Sequence, residues 1–464
     1  MCGIVAVSGN PEAARLAYLS LYALQHRGQE AAGIASFDAR TGSSHRHREA
    51  GLVSDVFGEK TLAGLPGDVA VGHIRYSTAG GAGLKNAQPI RETYRGGSLA
   101  LVHNGNLTNA NLLRERLLNE GSLFQSTIDS EVIVHLIARS RAATAEEQVL
   151  DALSQLEGAY CLLVSVDDVL YAARDPYGYR PLVIGALPGG GLVLASETCA
   201  LDIVHATYVR DVEPGEMIRI RGGEIERVTR IPKFASEAQP CVFELVYFAR
   251  PDSRLWGYTV DRARRAFGRR LAGEQPARGA DIVISVPDSA NSAAVGYAEA
   301  ARIPFELGLI RNHYVGRTFI TPGQAGRDSK VRMKFNPVRE VLEGKSVVVV
   351  DDSLVRGTTS RALVRMLREA GAREVHFRLA SPPVRWPCFY GIDMPTREEL
   401  IASGKSVEEI RDYLGVESLG YLSLEGMVDT VRENGESYCV ACFSGDYRAP
   451  LADAAEGLAM SSHC

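Results

Sequence analysis

Apolar and polar residues follow two different rhythms along the chain. Residues 3–7 (GIVAV) form an unbroken apolar run that predicts a strand, and the Asn10-Pro11 pair behind it opens a helix that reaches Arg27-Gly28. Further short apolar runs predict strands over residues 69–74, 99–102, 159–166, 169–172 and 191–194. Many short strands beside clustered helices, with few strand-helix-strand units, predict an α+β arrangement of packed layers. Residues 234–240 (FASEAQP), small and polar, read as a linker. Beyond them, β-rich runs over 281–286, 346–350 and 375–379 are separated by helical stretches such as 358–369, which predicts a parallel, doubly wound α/β sheet. Ligands of such sheets bind at the carboxyl ends of strands, which points to the loops over 286–291 and 351–360. The Ala/Ser-rich stretch 451–464 reads as a frayed tail.

A chain of 464 residues is too long for one ordinary core, and at roughly 150 residues per domain two substantial domains are expected. With 45% hydrophobic and 23% charged residues it can bury a large core, and a net charge of −5 gives no broad attraction toward nucleic acid or anionic membrane. Small molecules are the expected partners. No apolar run approaches the ~18–20 residues of a membrane span, and the N-terminal residues lack the layout of a signal peptide, so a cytoplasmic location is expected. Eight cysteines in such a chain point to thiol chemistry, metal ligation or burial rather than to a disulfide framework.

Cys2 follows Met1 directly, so methionine removal would leave a thiol and a free α-amine on one residue, a nucleophile with its own base. The amine's ordinary pKa of about 7.7–8.0 lies near the thiol's of about 8.5, which suits proton transfer at neutral pH. A cysteine at position two is by itself usually inert. The segments MCGIVAV, LQHRGQEAAGIA, GHIRYSTAG, LVHNGNLTN and STIDSEV, in this order, resemble the glutaminase domain of the N-terminal-nucleophile (class II) amidotransferases. The resemblance implies a Cys2 nucleophile, an oxyanion site from the Asn104 side-chain amide and the Gly105 N–H, and glutamine clamps at Arg75 and Asp129. Chemically the types fit: N–H donors stabilise the oxyanion of an attacked carboxamide, and an Arg-Asp pair reads the α-carboxylate and α-ammonium of free glutamine. Read alone, an Asn-Gly pair such as Asn104-Gly105 is more often a hairpin turn, and Arg27-Gly28 could merely end a helix.

The run VVVVDDSLVRGTTS, residues 347–360, delivers two carboxylates from a buried strand and then a glycine and hydroxyls at a helix start. Helix-start N–H groups and hydroxyls cradle a phosphate, and paired acids suit ribose hydroxyls or Mg2+. The Gly-Lys-Ser/Thr of a Walker loop is absent. The run resembles the PRPP (phosphoribosyl pyrophosphate) motif of type I phosphoribosyltransferases. That resemblance implies Asp351 and Asp352 at ribose and metal, and Gly357, Thr358, Thr359 and Ser360 at the 5-phosphate. It also implies Asp288 and Ser289 in the pyrophosphate loop, with Ser289 joining the Mg2+ shell. Residues 311–334 carry six Lys/Arg against one acid, Asp328, with glycines at Gly316, Gly323 and Gly326, and read as a basic lid.

Cys439-Val-Ala-Cys442 has a spacing for two thiolates on one metal centre, with redox and zinc readings open. The phrases around Cys241 (CVFELVYFARPDS) and Cys388 (PCFYGIDMP) resemble the iron-sulfur subclass of the glutamine PRPP amidotransferases. Cys241, Cys388, Cys439 and Cys442 are then the implied ligands of one [4Fe-4S] cluster, with four-sulfur zinc as the alternative. Cys161 and Cys199 read as packing residues and Cys464 as incidental.

The resemblance runs from Cys2 to about Tyr447. It implies an αββα four-layer glutaminase domain over residues 2–235 followed by a type I phosphoribosyltransferase domain over 241–450. The implied reaction hydrolyses glutamine and passes ammonia to PRPP, giving 5-phosphoribosylamine at the entry to purine synthesis. A tetramer restrained by purine nucleotides is implied as well. A catalytically silent PRPP-sensing regulator is the rival from another class.

Overall fold

The computed structural model describes residues 1–76, 83–233, 237–312, 331–394, 396–432 and 437–453. Among these residues the first half builds two antiparallel sheets. One has the strand order Thr207–Asp211, Val183–Ala186, Leu192–Ala195, Gly3–Ser8, Val69–Arg75, Ala31–Asp38, Ser43–Ala50. The other runs Glu224–Arg230, Glu216–Arg221, Val169–Arg174, Gly158–Val166, Gly97–Leu107, Ile90–Tyr94.

The sheets meet through Ile4, Ala6 and Val71 on one side and Val102, Cys161, Leu163 and Ala172 on the other. The alternate residues point outward onto helices. Val5, Val7 and Ile74 pack on helix Ala13–Ala23, and Leu99 and Leu101 pack on the group Ala110–Asn119, Ser130–Arg139 and Ala145–Gln155. Both faces of the central strands are therefore covered, giving an αββα stack. Double coverage is why GIVAV is a continuous apolar run rather than an alternating one.

The second half carries a parallel sheet in the order Ile282–Ser285, Ser346–Asp351, Glu374–Leu379, Ser418–Tyr421. Val348 and Val350 face helices Val260–Glu274 and Asn291–Ala301, while Val347 and Val349 face Thr358–Glu369 and Val407–Leu414. All four valines are fully buried, each stabilising the fold by about 1.5–3 kcal/mol. This strand anchors the acidic loop that follows it.

Three local readings change. Asn104-Gly105 makes no hairpin: it lies inside strand Gly97–Leu107, paired with Cys161 and Tyr160. Strand Ser418–Tyr421 was not anticipated, because SLGY is short and contains a glycine. The stretch read as a frayed tail begins docked: the Asp453 carboxylate accepts from the N–H groups of Asn111 and Leu112 at 2.8 and 3.2 Å, and its own N–H donates to the Thr108 carbonyl at 2.8 Å. Asp453 thus caps helix Ala110–Asn119, whose own N-cap residue Asn109 makes no side-chain cap. Residues 454–464, the core of the lid (313–330) and linker residues 234–236 lie outside the described residues.

Candidate active sites

Cys2 precedes strand Gly3–Ser8 and lies beside the end of strand Val69–Arg75. Its thiol donates to the Tyr76 carbonyl at 3.5 Å, and its own carbonyl accepts from Arg27 Nε at 3.0 Å. Burial pushes the Cys2 thiol above its ordinary pKa, opposed by the N-terminal amine, the Tyr76 contact and Arg75. With Met1 attached, burial holds the terminal amine down to about 5.

Arg75 is buried, donates to the Asn86 carbonyl and stands 3.7 Å from Glu30. Asp129, at the start of helix Ser130–Arg139, accepts from the Leu107 N–H at 3.0 Å and from Ser130 Oγ at 3.2 Å. Burial alone would raise its pKa, but His103 and these donors bring it below the usual carboxylate range. Asn104 is fully buried, and neither polar atom of its side chain finds a partner among the described residues. An unsatisfied buried amide costs about 1–3 kcal/mol, so its position favours a ligand. At Gly105 a Cβ would stand 2.0 Å from the Ala159 carbonyl oxygen, which admits only glycine beside that amide.

A second pocket, of about 440 Å³, opens at the carboxyl edge of the parallel sheet. Asp351, Asp352, Ser353, Gly357, Thr358, Thr359, Ser360, Ser289 and Lys334 line it, together with Tyr76, Tyr247, Phe248 and Met394. Burial and the neighbouring Asp352 push Asp351 well above the ordinary carboxylate pKa. Burial also raises Asp352, against hydrogen bonds from Ser289 and Ser353. Asp351, Asp352 and the Ser289 hydroxyl are oxygen donors of the kind that could hold Mg2+, with phosphate and water completing its shell. Gly357 caps helix Thr358–Glu369 at φ 76°, a left-handed conformation that turns the helix-start N–H groups into the pocket. Asp288 stands apart: its carboxylate pairs with Arg311 at 2.7 Å and is not among the lining residues.

Cys241, Cys388, Cys439 and Cys442 are gathered where the two halves meet, all as free thiols. Cys241 and Cys439 face each other in an isolated parallel bridge, Tyr390 N–H donates to Cys388 Sγ at 3.4 Å, and the Cys442 carbonyl accepts from Arg385 and Trp386 N–H. Burial and then the neighbouring thiols raise Cys439 and Cys442, and burial pushes Cys241 to about 11. Among the described residues no three His, Cys, Asp or Glu side chains converge on a point that would hold a single ion. The Cys241, Cys388 and Cys439 sulfurs each lie near enough to Cys442 to raise its pKa. Cys161 is a buried packing thiol between the two sheets, and Cys199 one in the sheet-helix core of the first sheet.

A buried charge network ties these parts together. Arg27 contacts Glu197 at 2.5 Å and Glu244 at 2.8 Å, and Arg180 reaches Glu244 at 3.4 Å, all four side chains fully buried. Burial opposes the ionised Glu197, yet His26 and Arg27 hold its pKa well below the usual range. Sequence reading missed this network, as it missed His73, His103, Tyr76 and Gly391. Single charges in a sequence resemble surface residues until tertiary pairing is seen.

A family profile described as a glutamine amidotransferase domain matches residues 73–202. Over 446 residues the chain is 51% identical to amidophosphoribosyltransferase 1, chloroplastic, of Arabidopsis thaliana, covering 96% of this chain and 78% of that protein. It is 50% identical over 453 residues to the Bacillus subtilis amidophosphoribosyltransferase, covering 96% and 94%. The chain belongs to the amidophosphoribosyltransferase family. Its fold matches that of glutamine PRPP amidotransferase from B. subtilis complexed with ADP and GMP with a TM-score of 0.91, at 49% identity over 97% of this chain and 98% of that one. The family member described here is a glutamine-dependent transferase of the first step of purine biosynthesis. Its αββα stack followed by a phosphoribosyltransferase sheet is the architecture its motifs implied. No helix among the described residues is long and apolar enough to cross a membrane.

Proposed function

We propose that residues 2–235 form a glutaminase domain and residues 241–450 a PRPP-binding domain, and that Cys2 and the Asp351–Ser360 loop are their respective reactive centres. With what precedes it removed, the Cys2 amine takes the thiol proton and the thiolate attacks the side-chain amide of glutamine. Arg75 and Asp129 hold the α-carboxylate and α-ammonium, and the Asn104 amide with the Gly105 N–H receives the developing oxyanion, each such donor supplying roughly 3 kcal/mol of transition-state stabilisation. Ammonia leaves, and water frees glutamate from the thioester.

Ammonia then displaces pyrophosphate at C1 of PRPP. Asp351 and Asp352 orient the ribose, and Thr358, Thr359 and Ser360 with the helix start hold the 5-phosphate. Ser289, Asp351 and Asp352 would hold Mg2+, whose charge assists pyrophosphate departure when bound. Asp288, paired with Arg311, takes the outer edge of the pyrophosphate loop. The observation that carries this reading is the shared wall: the Tyr76 carbonyl accepts the Cys2 thiol, while Tyr76 itself lines the second pocket.

Four thiols facing one another support [4Fe-4S] ligation by Cys241, Cys388, Cys439 and Cys442, a group that would clamp the loops bearing them. The ADP and GMP bound to the B. subtilis enzyme support purine nucleotides as ligands of this chain, and resemblance supports a cytoplasmic homotetramer.

Given glutamine and Mg-PRPP, the protein is expected to release glutamate and pyrophosphate together. Cys2→Ala should abolish glutamine use while retaining turnover with ammonium. Loss of both reactions in a folded Cys2→Ala protein would contradict two separate centres.

A further inference from the structure

Arg180 has no part in the chemistry just described, yet it is among the largest fully buried side chains. Its backbone carbonyl is fixed by Arg174 Nε at 2.8 Å, so the side chain leaves from a rigid base. Nε and Nη2 both donate to the Tyr390 carbonyl, at 3.0 and 2.6 Å. Tyr390 lies two residues beyond Cys388 and its ring stacks on Tyr179 at 4.3 Å. The segment that Arg180 grips is therefore the one carrying a cysteine of the four-thiol site.

The same segment touches the oxyanion site. Phe389 accepts from Asn106 Nδ2 at 3.0 Å. Gly391 lies so near Gly105 that a Cβ on it would be 2.9 Å from the Gly105 carbonyl carbon. On its other side Arg180 reaches Glu244, which holds Arg27, whose Nε donates to the Cys2 carbonyl. One guanidinium thus stands close enough to Cys241, Cys388 and Cys439 to interact with their charge, and is linked to both the Cys2 carbonyl and the oxyanion wall. Its planar fork can satisfy Glu244 and the Tyr390 carbonyl together, which a lysine cannot.

We propose that Arg180 is a positioning residue that couples the four-cysteine site to the glutaminase centre, holding the 389–391 backbone against Asn106 and Gly105 while serving as the buried counter-cation of the thiolates. The inference rests on the cluster reading above. A buried cation beside a cluster's sulfurs stabilises their negative charge, so losing it weakens the cluster. Losing its two-pronged hydrogen bond loosens the oxyanion wall, and the PRPP pocket is untouched because Arg180 does not line it.

The test uses the full chain purified without oxygen. Iron and sulfide are measured first, and their absence from the wild-type protein would overturn the cluster reading and this inference with it. With the cluster present, Arg180→Met should lower glutamine-dependent kcat by roughly tenfold or more while ammonium-dependent synthesis stays within about twofold. Its visible absorbance should also bleach several-fold faster in air. Arg180→Lys keeps the charge but not the fork, so bleaching should return to within about twofold of wild type while the glutamine defect persists.

Equal loss of both activities, or no change in either activity or bleaching, in a cluster-bearing wild-type background would overturn the role of Arg180 alone. Should Arg180→Met fail to fold, Gly391→Ala decides: it leaves Arg180 and the cysteines in place but presses on Gly105. It should reproduce the activity split with normal bleaching, and equal loss of both activities would overturn the coupling.

Discussion

His73 sits two residues before Arg75 in the strand beside Cys2, 1% exposed. Burial first, and then the adjacent Arg75, lower its pKa from 6.5 to about 3. A folded-state pKa below the unfolded value means that the fold prefers the neutral ring. The stability so gained is present above pH 6.5 and is lost progressively as pH falls toward 3. At about 1.4 kcal/mol per pKa unit, the loss amounts to a few kcal/mol at full burial. His73→Asn removes the titration, so the gap in melting temperature between variant and wild type should narrow on acidification through that window. A gap independent of pH would refute the assignment. Cys2, Arg75, Asp129 and Asn104 were proposed from the sequence because the ordered motifs that hold them resemble the class II amidotransferases. His73 was not, because a histidine's protonation state depends on neighbours supplied by other strands.

Gly357 gives the corresponding case for an element. Its φ of 76° and the 2.8 Å that would separate a Cβ from Ile401 Cδ1 both oppose a side chain. Gly357→Ala should destabilise the protein by about 1 kcal/mol or more. Because the cap aims the helix-start N–H groups, KM for PRPP should rise with little change in glutaminase activity. An unchanged KM would show that the loop does not hold the phosphate. Helix Thr358–Glu369 was predicted to the residue, since its cap, amphipathic period and preceding buried strand agree. Asn104-Gly105 is the opposite case. The pair favours a turn locally, but pairing of residues 99–107 with Gly158–Val166 outweighs that preference.

At the scale of the molecule, the meeting of two halves around four thiols leads to a compositional prediction. Anaerobically purified protein should contain about four iron and four sulfide per chain. Stoichiometric zinc without sulfide would overturn the cluster assignment. Buried charges at the same junction lead to a stability prediction. Glu244→Gln removes the carboxylate charge that Arg27 and Arg180 share, and loss of one charged partner in a buried ion network typically costs about 3–5 kcal/mol. A denaturation midpoint equal to wild type would show that the network relaxes without cost.

Local order along the chain determined an α+β first half and a parallel α/β sheet behind it, because periodicity and strand-loop-helix punctuation survive in one dimension. The resemblance carried by the ordered motifs implied the αββα stack and proposed the nucleophile and the phosphate loop. Tertiary structure alone decided that Asp453 caps a helix more than 300 residues upstream, that Asp288 turns to Arg311, and that Arg180 stands between the cysteines and Cys2. Those contacts join residues far apart in sequence, and their energies come from burial and charge pairing that exist only once both halves have folded together.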